Sequence, residues 1–372
     1  MKTSFRIATL LDIPIKIHFT FIFILALFAW LFSIQTVTIY GFTIGFGDYP
    51  IALGLKILFG ILVAIFLFAC VLLHELGHSY VTQKFGHKIN SITLFIFGGS
   101  SESEEIPKDP SKEFRIALSG PLVSIILGLT FYLIYSTINP LDFGVYFDVL
   151  STMFGTLSFY NLILAGFNLI PAFPIDGGRL LRAAFAMRME YQKATKTASN
   201  IGKGVAIAMA IFGIFFNIWL VLIAIFIFFG ASQEQKATEI SHALEGKQVH
   251  DIMRRDIESV SPDSTLRDVY NSMEKNKQFT YPVIAENEIV GIITIQDLQN
   301  IERNNWGEIH VKDVMNENVS TVSLDEDTFS VFKKIMKGNI ERLFVKDNNE
   351  LVGMISRNDF IKAIRFYGID NR

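Results

Sequence analysis

Residues 71–80 read VLLHELGHSY, placing two histidines and a glutamate at the end of one of the most apolar stretches of the chain. His74, Glu75 and His78 form the pattern H-E-x-x-H. On a helix, positions four apart share a face, so both imidazoles can reach one Zn2+. The glutamate between them is then placed to take a proton from a zinc-bound water. The competing explanation is a pair of helix-packing histidines. Its weakness is the setting, because ionisable groups inside a membrane are costly and mark function.

Two histidines leave zinc short of a third protein ligand and of an open position for water. The extended pattern H-E-x-x-H-x-x-G-x-x-H is absent, since Val81 and Lys84 stand where its glycine and third histidine would be. His87, in FGHKIN, lies among loop residues and fits a surface role better than a ligand role. Asp176, in FNLIPAFPIDGGRL, is the stronger candidate. Pro171 and Pro174 stop the preceding helix, and Gly177 and Gly178 permit a close backbone approach. The alternative for Asp176 is a cap on the following helix, GGRLLRAAFAMR.

HELGH, FGGS, ALSGP and NLIPAFPIDGG together resemble the motifs of the site-2 protease family of intramembrane zinc metalloproteases, over essentially all of 1–235. The resemblance implies one Zn2+ held by His74, His78 and Asp176, with Glu75 as the catalytic acid/base. It also implies that Asn168, eight residues before the aspartate, holds the substrate carbonyl or oxyanion. An amide N–H in that role stabilises a tetrahedral oxyanion by about 2–4 kcal/mol; the alternative is an interhelical hydrogen bond of a membrane asparagine. The implied reaction is hydrolysis of a peptide bond in or beside a transmembrane segment of a membrane-anchored protein, such as a tethered transcription regulator. A helical substrate hides its carbonyls in internal hydrogen bonds and must first unwind. The β-rich run INSITLFIFGG, residues 89–99, is therefore expected to form a re-entrant strand whose edge takes up the unwound segment. A plain amphipathic connector is the other explanation. The polar loop 98–113, GGSSESEEIPKDPSKE, is expected at the membrane surface, gating entry.

The elements that must position these residues follow from composition. The 372 residues are 51% hydrophobic and 19% charged, which points to a membrane protein. A net charge of -3 with no basic stripe excludes a nucleic-acid partner. The single cysteine, Cys70, cannot form an internal disulfide. The first residues lack a compact apolar region followed by a small-residue cleavage site, so the first apolar run is expected to be a retained span. Apolar runs occupy 17–37, 51–73, 116–138 and 149–170. An uncharged run at 205–230 would reach roughly 39 Å as one helix, too long for a core of about 30 Å. With Asn217 as a turn and a helix starting near Ala194, it becomes a hairpin, giving six spans. Lys and Arg gather before the first span, after the second and after the fourth, and are absent from the loops between. The positive-inside rule then expects a multi-pass cell-membrane protein with its N-terminus and C-terminal region in the cytoplasm.

Beyond a polar linker at 232–248, residues 249–372 contain a duplication. An offset of 62 matches Asp251/Asp313, Met253/Met315, Val260/Val322, Ser261/Ser323, Asp263/Asp325, Gly291/Gly353, Thr294/Ser356 and Asp297/Asp359. The copies, 249–305 and 311–368, resemble CBS domains through GIITIQD and GMISRND. That resemblance implies an adenine nucleotide whose ribose meets Thr294, Asp297, Ser356 and Asp359, and a homodimer formed through the pair. Strand-end capping without a ligand remains the alternative. The expected whole is an α-helical polytopic membrane protein of six transmembrane helices with a short re-entrant β segment (1–231), followed by a cytoplasmic α+β tandem CBS module. Two other classes stay open: a CBS-regulated transporter and a catalytically inactive scaffold that binds membrane helices.

Overall fold

The computed structural model describes residues 4–370 apart from 97, 104–108, 142, 287, 339, 341 and 349. The chain divides into two compact units between Lys236 and Ala237.

The first unit opens with a hairpin, β1 (Ser4–Leu10) and β2 (Ile13–His18), before helix α1 (Phe19–Ile34). The apolar run at 17–37 hides this change of structure. Ile13, Ile15 and Ile17 alternate with Pro14, Lys16 and His18, a period of two that suits a strand with one buried face. Ile13 and Ile15 are fully buried, and His18 then caps α1 by accepting from the Thr20 amide. A short hairpin, β3 (Val37–Ile39) and β4 (Phe42–Ile44), leads to α2 (Leu53–Lys84). Strands β5 (Ile89–Phe95) and β6 (Gly98–Ser103) precede α3 (Pro110–Ile138) and α4 (Val145–Asn168). The short helix α5 (Asp176–Ala186) follows, then α6 (Tyr191–Phe216) and α7 (Ile218–Ala243).

Among the described residues, α2, α3, α4, α6 and α7 are long and apolar enough to cross a membrane, while α1 is apolar but only 16 residues long. The turn expected at Asn217 is present: it separates α6 from α7, and its side chain accepts from the Trp219 amide at 2.9 Å. The two helices run antiparallel, with the Ser199 hydroxyl donating to the Ala231 carbonyl. Residues 232–243, expected as linker, continue α7 instead, because Gln, Glu, Lys and Ala are good helix formers whatever their polarity.

The run 89–99 does supply a strand, but an inner one. The sheet order is β1-β2-β5-β6, with β5 parallel to β2 and antiparallel to β6. Both edges of β5 are used, so the strand expected to receive a substrate cannot do so. Among the described residues, the free edges belong to β1 and β6. The inner face of the sheet, Ile13, Ile15, Ile89 and Ile92, packs against Leu72 and Leu76 of α2, which places it beside HELGH. Of the expected gate at 98–113, residues 98–103 form β6 and Asp109 caps α3; 104–108 lie outside the described residues.

In the second unit, α8 (Val249–Ile252), α9 (Leu266–Asn276), β7 (Thr280–Ala285), β8 (Glu288–Thr294) and α10 (Ile295–Gln299) form one copy. The other holds β9 (Thr321–Ser323), α11 (Thr328–Gly338), β10 (Arg342–Asp347), β11 (Glu350–Ser356) and α12 (Arg357–Asp370). The duplication persists in the register: Thr280 pairs with Thr294 and Arg342 with Ser356, and both hairpins carry a bulge at the same step. The repeated Met and Gly positions lock the copies together. A Cβ on Gly291 would fall 2.6 Å from the Met315 sulfur, and Met253 bears in the same way on Gly353. Each copy therefore seats its methionine on the glycine of the other.

Candidate metal centre

Helix α2 carries His74 and His78 one turn apart, with only 3% and 6% of their surface exposed. Their Nε2 atoms are 3.2 Å apart. Asp176 arrives from a separate element: after the turn through Pro171 and Pro174, it is the first residue of α5. Ile175 holds the cap position, so the alternative role of Asp176 as a helix cap is not the one observed. Its Oδ2 lies 3.3 Å from His74 Nε2 and 3.0 Å from His78 Nε2. Among the described residues, these three side chains form the one group arranged to hold a metal, and His87 is not part of it.

The surrounding hydrogen bonds decide what the imidazoles offer. His78 Nδ1 donates to the Ile116 carbonyl at 2.7 Å. A carbonyl only accepts, so in the neutral ring the proton sits on Nδ1 and Nε2 presents a lone pair. His74 Nδ1 meets the Ser124 hydroxyl at 2.9 Å, an oxygen that can fix the same tautomer. With both rings in that tautomer, two imidazole lone pairs and a carboxylate oxygen converge on one point. Three donors about 2.0–2.1 Å from a tetrahedral Zn2+ would sit about 3.3 Å from one another. The observed separations match, so the donor set fits that ion.

Helix α3 packs across the two rings. A Cβ on Gly120 would come within 2.7 Å of His74 Nε2 and 2.6 Å of His78 Cε1. Gly120, Ser124 and the Ile116 carbonyl have no signal in the spacing of the ligands. The ALSGP motif marks Gly120 as a family residue without revealing what it does. Glu75 lies half-buried on α2, and Gly99 of β6 rests on its side chain; a Cβ there would fall 3.2 Å from Glu75 Oε1. Asn168 ends α4 with its amide nitrogen donating to the Leu164 carbonyl at 3.0 Å, a bond within its own helix. Neither the oxyanion role nor an interhelical bond is seen for it among the described residues.

In the second unit, Thr294 and Asp297 form a reciprocal cap on α10, with the hydroxyl donating to the carboxylate at 2.7 Å. Ser356 and Asp359 repeat this arrangement on α12, where the amide of Ser356 also donates to Asp359. The two positions differ in burial and in charge partner: Asp359 is buried and Asp297 half-exposed. Asp359 also accepts from Arg254 Nε at 2.8 Å. The residue matching Arg254 at the same offset is Asn316, which offers no charge to Asp297.

The model of peptidase family M50 matches residues 62–147 and 144–212, and that of the CBS domain matches 249–302 and 311–366. A zinc metalloprotease of Methanocaldococcus jannaschii is 38% identical over 365 residues, covering 98% of this chain and 97% of that protein. Stage IV sporulation protein FB of Bacillus subtilis is 35% identical over 127 residues, or 33% of this chain and 40% of that one. A solved site-2 protease from Methanocaldococcus jannaschii is 40% identical and covers 62% of this chain and 95% of its own, with a TM-score of 0.43. The 38% identity to the zinc metalloprotease over nearly the whole of both chains, with the matches of both family models, places this chain in peptidase family M50, as a zinc metalloprotease of the site-2 type that carries a tandem pair of CBS domains.

Proposed function

We propose that the chain cleaves membrane-anchored proteins in or beside their transmembrane segments, and that its CBS pair modulates this in response to an adenine nucleotide. The observation that carries the reading is a buried three-donor centre, assembled from α2 and α5, in a unit built of membrane-length apolar helices. In this reading His74, His78 and Asp176 would hold Zn2+, which would supply Lewis-acid polarisation of the scissile carbonyl and make water a better nucleophile near neutral pH. Glu75 accepts the proton of the attacking water and delivers it to the leaving amine. The free edge of β6 takes up the unwound substrate through main-chain hydrogen bonds, which sets the peptide beside Glu75. Asn168 swings from its bond with Leu164 to hold the oxyanion once substrate is present. Asn168→Ala is accordingly expected to lower kcat about 100-fold with zinc content unchanged.

The topology belongs to the same reading. Six apolar helices cross the membrane, and the N-terminus and CBS pair face the cytoplasm. Helix α1 reaches only about 24 Å against a core of about 30 Å, so the bilayer thins around it or its flanking residues anchor at the interface. The protease domain (1–231) is regulated by the pair (249–372), through which two chains associate. A nucleotide acts only if it favours one arrangement of the pair, since equal affinity shifts nothing. The substrates are single-span proteins such as membrane-tethered transcription regulators. Co-expression of the wild type and Glu75→Gln with candidate single-span substrates tests the assignment. The expected result is cleavage by the wild type alone, with zinc retained in both; cleavage that survives Glu75→Gln would overturn it.

A further inference from the structure

Arg182 lies on α5, the helix that begins with Asp176, and only 2% of its surface is exposed. Its Nε donates to Glu113 Oε1 at 2.9 Å, and Nη2 reaches the same oxygen. Nη1 donates to Glu234 Oε1 of α7 at 2.5 Å. The guanidinium also lies 5.0 Å from the ring centres of Phe173 and Tyr191. Phe173 sits three residues before Asp176, so the arginine grips the chain on both sides of the ligand.

Glu113 is fully buried in the first turn of α3. That helix also presents the Ile116 carbonyl to His78, the Ser124 hydroxyl to His74, and Gly120 to both rings. A buried ion pair is a poor source of stability, because its desolvation offsets most of its attraction. Its use lies in geometry: a planar fork shared between two carboxylates admits few arrangements.

We infer that Arg182 is a positioning residue for the metal centre, tying α5 to the helix that orients both imidazoles and so fixing where the Asp176 carboxylate stands. The inference rests on the metal reading above. Glu113 supplies the fixed end of the tie and Glu234 steadies the guanidinium from α7. Without the tie, α5 keeps its sequence and its helix but loses its register against α3.

Chelator competition on the detergent-solubilised full-length protein tests this through zinc affinity, independently of turnover. Arg182→Gln is expected to weaken zinc about 10- to 100-fold. Because the effect runs through one ligand, adding Arg182→Gln to Asp176→Ala should change affinity less than about 2-fold. A loss of equal size in both backgrounds would reveal a general loosening and overturn the inference. So would wild-type affinity in Arg182→Gln. Arg182→Lys keeps the charge without the fork, and serves where the glutamine variant fails to fold; it is expected to bind about 10-fold more weakly, and unchanged affinity would again overturn the idea. Wild-type protein that binds no zinc would remove the metal reading itself, and the inference with it.

Discussion

At the scale of single residues, the space that a Cβ on Gly120 would need is already filled by the two imidazole rings. Gly120→Ala must displace a ring, so the purified variant is expected to lose bound zinc and activity together, measured as metal content per chain. Ser124→Ala keeps the backbone but releases His74 Nδ1 from its partner, and about a 10-fold weaker zinc affinity is expected. The two histidines were legible because their type and four-residue spacing belong to one helix, whereas Asp176 stands on α5 and was reached only through its motif and the family resemblance. Their orienting partners were not, since a backbone carbonyl and a serine two turns along α3 become partners only when two helices cross. Arg182 and Glu113 were hidden differently: charges beside apolar runs read as topology signals, and burial alone exposes their pairing.

The sheet shows the same division at the scale of elements. Strand β5 was legible from its β-branched residues, whereas GGSSES of β6 has the composition of a loop and becomes a strand only by pairing with β5. Strand β2 was masked because an apolar count does not separate a period of two from the helix that follows. The expectation of a receiving edge thus passes from β5 to β6, where it can be tested. A Cβ on Gly99 would press on the Glu75 side chain, so Gly99→Ala is expected to cut cleavage at least about 10-fold while zinc content holds. Loss of zinc in this variant would instead mean that β6 supports the ligands. The hairpin at Asn217 was readable from one turn-forming residue, and its Asx bond to Trp219 is the reason.

At the scale of the molecule, the second unit is nearly symmetric in backbone and asymmetric in charge. Asp359 is paired with Arg254, while the residue that corresponds to Arg254 in the other copy is the neutral Asn316. Equilibrium binding of ATP, ADP and AMP to the full-length protein is therefore expected to give unequal sites, and Arg254→Ala should alter the second-copy site far more than the first. Equal affinities unchanged by Arg254→Ala would show that the ion pair is irrelevant to ligand choice.

The crossed seating of Met253 on Gly353 and Met315 on Gly291 carries a consequence of its own. Neither copy contains its own socket, so each is half of a joint. Two chains can exchange halves and satisfy the same contacts, which makes a domain-swapped dimer an arrangement the fold permits at little cost. Cutting the chain between the copies should then leave two pieces that re-form the module when mixed, and that each expose an empty socket when kept apart.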